Sequence, residues 1–162
     1  MGITDFIGGR GEAIAFARLA RLCRPDDLPY FWPHYLGQKC PTFDFLVELV
    51  AASDRTPFFF AQVKTTRKAF TRRQAPPRLR VEVSREDVRK MAAYPAPTYV
   101  IGVHEIEERA FVISVHGDMD ESISSITTEH ELTPNTLERL WEEVSAFWQA
   151  RDMTRSSSHF RN

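Results

Sequence analysis

The sequence contains little cysteine and no long hydrophobic run, and both absences exclude whole classes of protein. Cys23 and Cys40 are the only cysteines, which excludes a disulfide framework and a cysteine-based zinc site. No apolar run approaches the ~18 residues of a membrane span, and the opening segment MGITDFIGGRGEA has no basic and apolar leader. We therefore expect a cytoplasmic protein that makes no membrane contact.

The chain as a whole also has no excess of positive or negative charge. The sequence has 21 Lys and Arg against 22 Asp and Glu, so the net charge of −1 indicates neither a nucleic acid nor a membrane as partner. The five histidines are scattered without an H-E-x-x-H pair, so no histidine metal site is indicated. The 162 residues, 43% of them hydrophobic, predict one domain over residues 1–150, followed by a flexible polar tail over residues 151–162.

The hydrophobic patterning predicts an α/β protein with a central mixed β-sheet flanked by helices. Helices are predicted over residues 9–24, from Ser84 to about residue 94, and from Thr133 to about residue 148. Strands are predicted over residues 43–50, 58–64, 79–83, 97–104 and 110–115. The proline-rich residues 25–42 are predicted to be irregular, and the first two strands to form a hairpin.

Three polar residues are predicted to meet at one end of that hairpin. Gln62 and Lys64 alternate with Val63 along the second strand, so their side chains emerge on the same face. Asp44 begins the first strand, beside the end of the second. A carboxylate and carbonyl oxygens suit Mg²⁺ or Mn²⁺, and a lysine ammonium can orient an attacking water. The alternative is a strand that leaves the core with polar residues at its exit.

A run of cations follows this site without an acidic residue between Gln62 and Val81. Single-sign charge interspersed with threonine and phenylalanine is typical of a loop that contacts phosphates. The alternative is a solvated charged loop. Together with Lys64, the run contains Arg67, Lys68, Arg72, Arg73, Arg78 and Arg80.

Glu12 is the acidic residue on an otherwise apolar face of the first helix. It is a candidate to join Asp44 at the site. The alternative is a glutamate in the first helical turn that is favoured by the helix dipole.

These motifs resemble those of the PD-(D/E)xK nuclease superfamily, in particular small bacterial proteins with a Q-x-K strand that are often encoded near restriction or phage-defence genes. The resemblance rests on Gly11-Glu12, Asp44 in FDFLVEL and the Gln62-Val63-Lys64 strand, and it covers roughly residues 9–115. It implies a restriction-endonuclease-like fold and phosphodiester hydrolysis dependent on Mg²⁺ or Mn²⁺, with DNA as the expected nucleic acid.

The resemblance assigns a role to each of these residues. Asp44 corresponds to the principal metal ligand, Lys64 to the catalytic lysine and Glu12 to the helix acid. Gln62 stands where an acid usually stands, and the Val63 carbonyl completes the metal site. The sequence departs from the pattern because Pro41 precedes Asp44 by three residues and because Gln62 is neutral.

Two other functions remain open from the sequence. One is a catalytically degenerate module of the same fold that binds nucleic acid or a partner protein, such as another defence component or a second copy of the chain. The other is an adaptor that uses the aromatic residues 30–32 and Tyr35. Glu48 lies ~13 Å along the strand from Asp44, too far to share one ion, and is interpreted as accessory or structural. His104, at a strand end, is the one histidine of interest.

Overall fold

The computed structural model describes residues 2–37, 40–52, 56–151 and Ser158. Within them the helices are α1 (Ile3–Leu19), α2 (Arg85–Ala92) and α3 (Pro134–Gln149). The strands are β1 (Phe31–Tyr35), β2 (Phe45–Leu49), β3 (Phe58–Thr66), β4 (Arg78–Leu79), β5 (Thr98–His104), β6 (Arg109–Val115) and β7 (Ile126–Thr127). Apart from Arg151 and Ser158, the predicted polar tail lies outside the described residues.

The main sheet has five strands in the order β1-β2-β3-β5-β6. β3 and β5 run parallel and all other neighbours are antiparallel. A parallel neighbour requires a crossover, which here contains β4 and α2. The predicted α/β class with a mixed, helix-flanked sheet is confirmed, and at this coarse level the arrangement is consistent with a restriction-endonuclease-like fold.

The two faces of the sheet bury different elements. On one face, α1 and α3 cover a core that includes Phe31, Phe45 and Phe59. On the other, α2 packs against Phe43 and Val100. Within the described ranges, no helix combines the length and hydrophobicity that a bilayer crossing requires.

Several predicted elements are confirmed. β2 and β3 form the expected antiparallel hairpin, and β5 and β6 form the second pair. The Ser84 hydroxyl accepts from the Asp87 N–H at the start of α2, and Thr133 caps α3 in the same way. In these elements the local sequence pattern, meaning the hydrophobic alternation and the N-cap residues, favours the same structure as the tertiary packing.

The first helix and the segment after it differ from the prediction. α1 begins at Ile3 because Asp5 closes its first turn on Gly2, and it ends at Leu19, before Pro25. The following chain leaves the helix because Leu22 pairs with Pro29. The prediction that residues 25–42 are irregular is wrong for β1. This strand contains Pro33 and is tolerated because it lies at the sheet edge, bonded to β2 alone.

The short strand predicted over residues 79–83 is also corrected. β4 covers two residues, and it pairs with β7, which the sequence did not indicate, in a separate two-stranded sheet. Val83 forms only an isolated bridge with Ile123. This small sheet packs on Gly102 of β5, where a Cβ would lie 2.5 Å from the Ile126 side chain.

The contact between α1 and β3 requires a glycine. A Cβ on Gly11 would lie 1.8 Å from the Thr65 Oγ1, and all three of its nearest atoms belong to Thr65. Only glycine permits this distance between the helix and the strand. Glu12 follows immediately, so the same contact sets the position of its side chain.

We expect Gly11→Ala to lower the free energy of unfolding by about 1–3 kcal/mol, because the added methyl group overpacks the helix–strand contact. Gly8→Ala is the matched control, since a Cβ there meets nothing within 4 Å. Gly8→Ala should gain up to ~1 kcal/mol from helix propensity. Urea denaturation of both variants measures the difference, and a Gly11→Ala protein as stable as wild type contradicts the contact.

Candidate active site

Asp44 is held against β3 by two hydrogen bonds. Its N–H donates to the Ala61 carbonyl at 2.9 Å, and its Oδ2 accepts from the Val63 N–H at 2.6 Å. The β2–β3 register pairs Phe45 with Ala61, which places Asp44 beside Gln62 as the hairpin predicted. The carboxylate is thereby fixed at the point where β2 begins.

Gln62 is buried, with 4% of its surface exposed. Its Nε2 donates to the Thr42 carbonyl at 3.0 Å, which leaves the Oε1 as the other end of the amide. That oxygen is buried and has no hydrogen-bond partner within the described part of the chain. A buried acceptor without a partner is costly, so this oxygen is a candidate to receive a cation or a water.

The backbone carbonyl of Val63 points toward the side of β3 on which β2 lies. The N–H and C=O of one strand residue point to the same neighbouring strand. Because the Val63 N–H reaches Asp44, the Val63 carbonyl points toward the region beyond the start of β2. Its role as a metal ligand stays a prediction.

Glu12 and Asp44 line one cavity of about 840 Å³ between the first half of α1 and the segment before β2. Burial, together with the negative charge of Asp44, raises the pKa of Glu12. Burial likewise raises the pKa of Asp44, while the Val63 N–H and the Lys64 charge oppose that shift. The two carboxylates are therefore electrostatically coupled, and each would be relieved by a cation.

Lys64 follows Val63 on β3 and acts electrostatically on Asp44. Its ammonium group acts to lower the pKa of Asp44, which shows that the two side chains are coupled. The Lys64 side chain is half-buried and makes no hydrogen bond or ion pair to the other described residues. Its charge is therefore available to a ligand.

The donor set fits a hard divalent cation, although it is poorer in charge than a carboxylate cluster. The described residues contain no group of three or more His, Cys, Asp or Glu side chains placed to hold a metal. Glu12 and Asp44 would supply two carboxylates, and the Gln62 Oε1 and Val63 carbonyl would supply neutral oxygens. Oxygen donors of this kind suit Mg²⁺ or Mn²⁺.

The structure divides the predicted phosphate-contacting cations into two groups. Arg67 donates to Glu105 at 2.6 Å, Arg78 donates to both the Ser125 side chain and carbonyl, and Lys68 lies 3.7 Å from Glu82. The second group has no ion pair to the described residues and lines one surface depression of about 630 Å³. It comprises Arg72, Arg73 and Arg80.

The loop that carries Arg72 and Arg73 is anchored at both ends. Phe70 stacks on His104 with ring centroids 4.8 Å apart. The Thr71 N–H donates to the Arg78 carbonyl, and the Thr71 hydroxyl accepts from the Arg78 N–H. The two arginines are exposed between these anchors.

His104 and Glu48 have structural partners. His104 is buried, and its Nδ1 accepts from the Glu107 N–H. Glu48 lies 3.1 Å from the His34 Nε2 on the neighbouring strand β1. Neither residue lines the cavity that contains Glu12 and Asp44.

Sequence reasoning missed Glu105, which links α1 to the segment that follows β3. Its carboxylate is 6% exposed and lies 2.7 Å from Arg10 and 2.6 Å from Arg67. The hydrogen bond from Arg67, with the charge of Arg10, lowers the pKa of Glu105. An acid directly after a strand was the only available signal, and its partners are distant in sequence.

Comparison with known proteins adds no assignment. No protein-family model matches the chain, and no curated protein sequence matches it.

The raised pKa of Glu12 predicts a pH-dependent cost of folding in metal-free protein. A carboxyl whose pKa is raised by folding stabilises the protein fully below its unfolded pKa, and this stability is lost as the pH rises through the folded pKa. Glu12→Gln removes that loss. The variant should therefore be more stable than wild type near pH 7 in chelator, with the gain vanishing toward pH 4.

Thermal unfolding of both proteins in EDTA across pH 4–8 measures this difference. Glu142→Gln, at an exposed position of α3, is the control and should follow wild type at every pH. A Glu12→Gln curve that runs parallel to wild type would show that the Glu12 carboxylate carries no such cost.

Proposed function

We propose that this protein is a divalent-metal-dependent nuclease that hydrolyses phosphodiester bonds, with DNA as its substrate. The single observation that carries the proposal is that Glu12 and Asp44 line one cavity and act on each other electrostatically, while the charge of Lys64 on the neighbouring strand acts on Asp44. Two carboxylates with raised pKa values beside a lysine with a free ammonium group are typical of a functional site. The resemblance to PD-(D/E)xK nucleases supports the same chemistry.

Each residue has a defined part in the proposed reaction. Bound Mg²⁺ or Mn²⁺ supplies Lewis-acid polarisation of the scissile phosphate. Asp44 holds negative charge at a position fixed by the Val63 N–H, Glu12 adds a second carboxylate at the same cavity, and Lys64 orients the attacking water and offsets the charge that develops on the phosphate oxygens. The water oxygen bonds to phosphorus and releases a proton to solvent, while the bond from phosphorus to the leaving oxygen breaks and that oxygen takes up a proton from solvent.

Asp44 is suited to this part because it is already oriented. Its hydrogen bond to the Val63 N–H fixes the side chain, so little conformational freedom remains to be lost when a metal and substrate bind. Gln62 is held in the same way by Thr42. Two ligands oriented in this way reduce the conformational entropy that metal binding would cost.

We expect Lys64→Ala to reduce cleavage by about 10² to 10³ while it leaves the fold and most nucleic-acid affinity intact, because it removes charge stabilisation specific to the transition state. Lys90→Ala, an exposed lysine on α2 paired with Glu86, is the control and should cleave like wild type. Linear, circular and single-stranded DNA and RNA in Mg²⁺ and Mn²⁺ are the substrates.

Equal cleavage by wild type and Lys64→Ala would indicate a contaminating nuclease. Tight binding without cleavage by wild type would instead favour the catalytically degenerate module. Two observations favour this second candidate. Gln62 is neutral, and the described residues contain no third acid clustered with Glu12 and Asp44.

The cationic loop predicts a salt-dependent affinity. Arg72→Ala/Arg73→Ala should weaken DNA binding and reduce the slope of log K against log salt by about one unit for each phosphate that is no longer neutralised. Arg21→Ala/Arg139→Ala removes two exposed arginines outside the loop and is the matched control. DNA affinity measured at several salt concentrations tests this prediction. An unchanged slope would show that the loop is a solvated surface that contacts no phosphate.

A further inference from the structure

Phe6 is an exposed aromatic ring in the wall of the cavity that contains Glu12 and Asp44. It is 62% exposed, and it lines the cavity together with both acids. Its ring makes no aromatic contact among the described residues, whereas Phe16, further along α1, stacks on Tyr35. A large, exposed apolar side chain that stacks on none of the described rings is available to a ligand.

Two glycines keep the space beside this ring open. A Cβ on Gly8 or Gly9 would meet nothing within 4 Å, and both residues line the same cavity. Glycine inside a helix costs roughly 0.5–1 kcal/mol relative to alanine. Unlike Gly11, neither glycine is required by close packing. Together they leave the cavity wall between Phe6 and Glu12 without side chains.

A ligand for this wall must combine a flat apolar surface with an anionic group. The ring offers a stacking face, while the carboxylates, with the metal proposed there, would hold a phosphate. A nucleotide has both parts on one molecule. A base in a duplex is already stacked on its neighbours, so only an unpaired base has a free face for Phe6.

We propose that Phe6 stacks on an unpaired base next to the scissile phosphate, so that the substrate is single-stranded or locally unpaired DNA. This inference rests on the proposed phosphodiester hydrolysis, because the phosphate would be placed by the divalent cation that Glu12 and Asp44 would hold. Phe6 is a binding residue for the substrate strand.

The test compares binding of a single-stranded oligonucleotide that contains 2-aminopurine with binding of the matching duplex, in Ca²⁺ to limit cleavage. Phe6→Ala should lower single-strand affinity about 5- to 150-fold, the range for loss of one base–aromatic stack, and should abolish quenching of 2-aminopurine. Duplex affinity should change by less than about twofold. Phe6→Trp should retain both affinity and quenching.

Two further variants separate stacking from damage to the fold. Ile3→Ala removes an apolar side chain that is 70% exposed on the same helix but does not line the cavity, so it should bind like wild type. Gly9→Leu fills the open wall with a good helix former and should block single-strand binding while the thermal unfolding temperature is maintained or raised.

Several results would overturn the inference. These are single-strand affinity unchanged in Phe6→Ala, a loss that is equal for duplex and single strand, or a loss reproduced by Ile3→Ala. Cleavage that depends on Lys64 but not on Phe6 would refute stacking and leave hydrolysis standing. Single-strand binding that depends on Phe6, in a protein that cleaves no nucleic acid, would support stacking and refute hydrolysis.

Discussion

The candidate site depends on the close contact between α1 and β3. Gly11 allows the helix to rest on Thr65, and the next residue of the helix is Glu12. Glu105 reinforces this arrangement, because its buried carboxylate joins Arg10 of α1 to Arg67, which follows β3. Breaking an ion pair of this kind by removing one partner leaves an uncompensated buried charge. The helix is therefore held against the strand that carries the polar residues of the site.

The sequence predicted the part of this arrangement that rests on local pattern. Alternation along β3 and the length of the turn were enough to place Asp44 beside Gln62, because a hairpin has few possible registers. The bounds of α1 and the presence of β1 were not predictable in this way. α1 ends where Leu22 pairs with Pro29, and β1 forms around Pro33 because it lies at an edge. Both outcomes depend on tertiary contacts.

The run of cations shows a second limit of sequence reasoning. Single-sign charge predicts attraction to phosphate, but it does not tell which side chains the fold itself uses. Arg67 and Arg78 are bound to Glu105 and Ser125, partners 38 and 47 residues away. Such partners leave no local signal. Among the described residues, the cations after Lys64 that have no such partner are Arg72 and Arg73, between the two anchors of the loop, and Arg80 beside them.

Gln62 has a role that an acid at this position would not fill in the same way. Its Nε2 donates to the Thr42 carbonyl, which holds the segment just before Asp44, while its Oε1 remains an acceptor. An ionised glutamate has no donor, so it would repel the Thr42 carbonyl and add a third negative charge to two carboxylates whose pKa values are already raised. Compared with glutamate, the Gln62 amide therefore contributes less charge to metal binding but fixes the position of the segment before Asp44. In the proposed nuclease this exchange favours a weakly held metal in a well-ordered site.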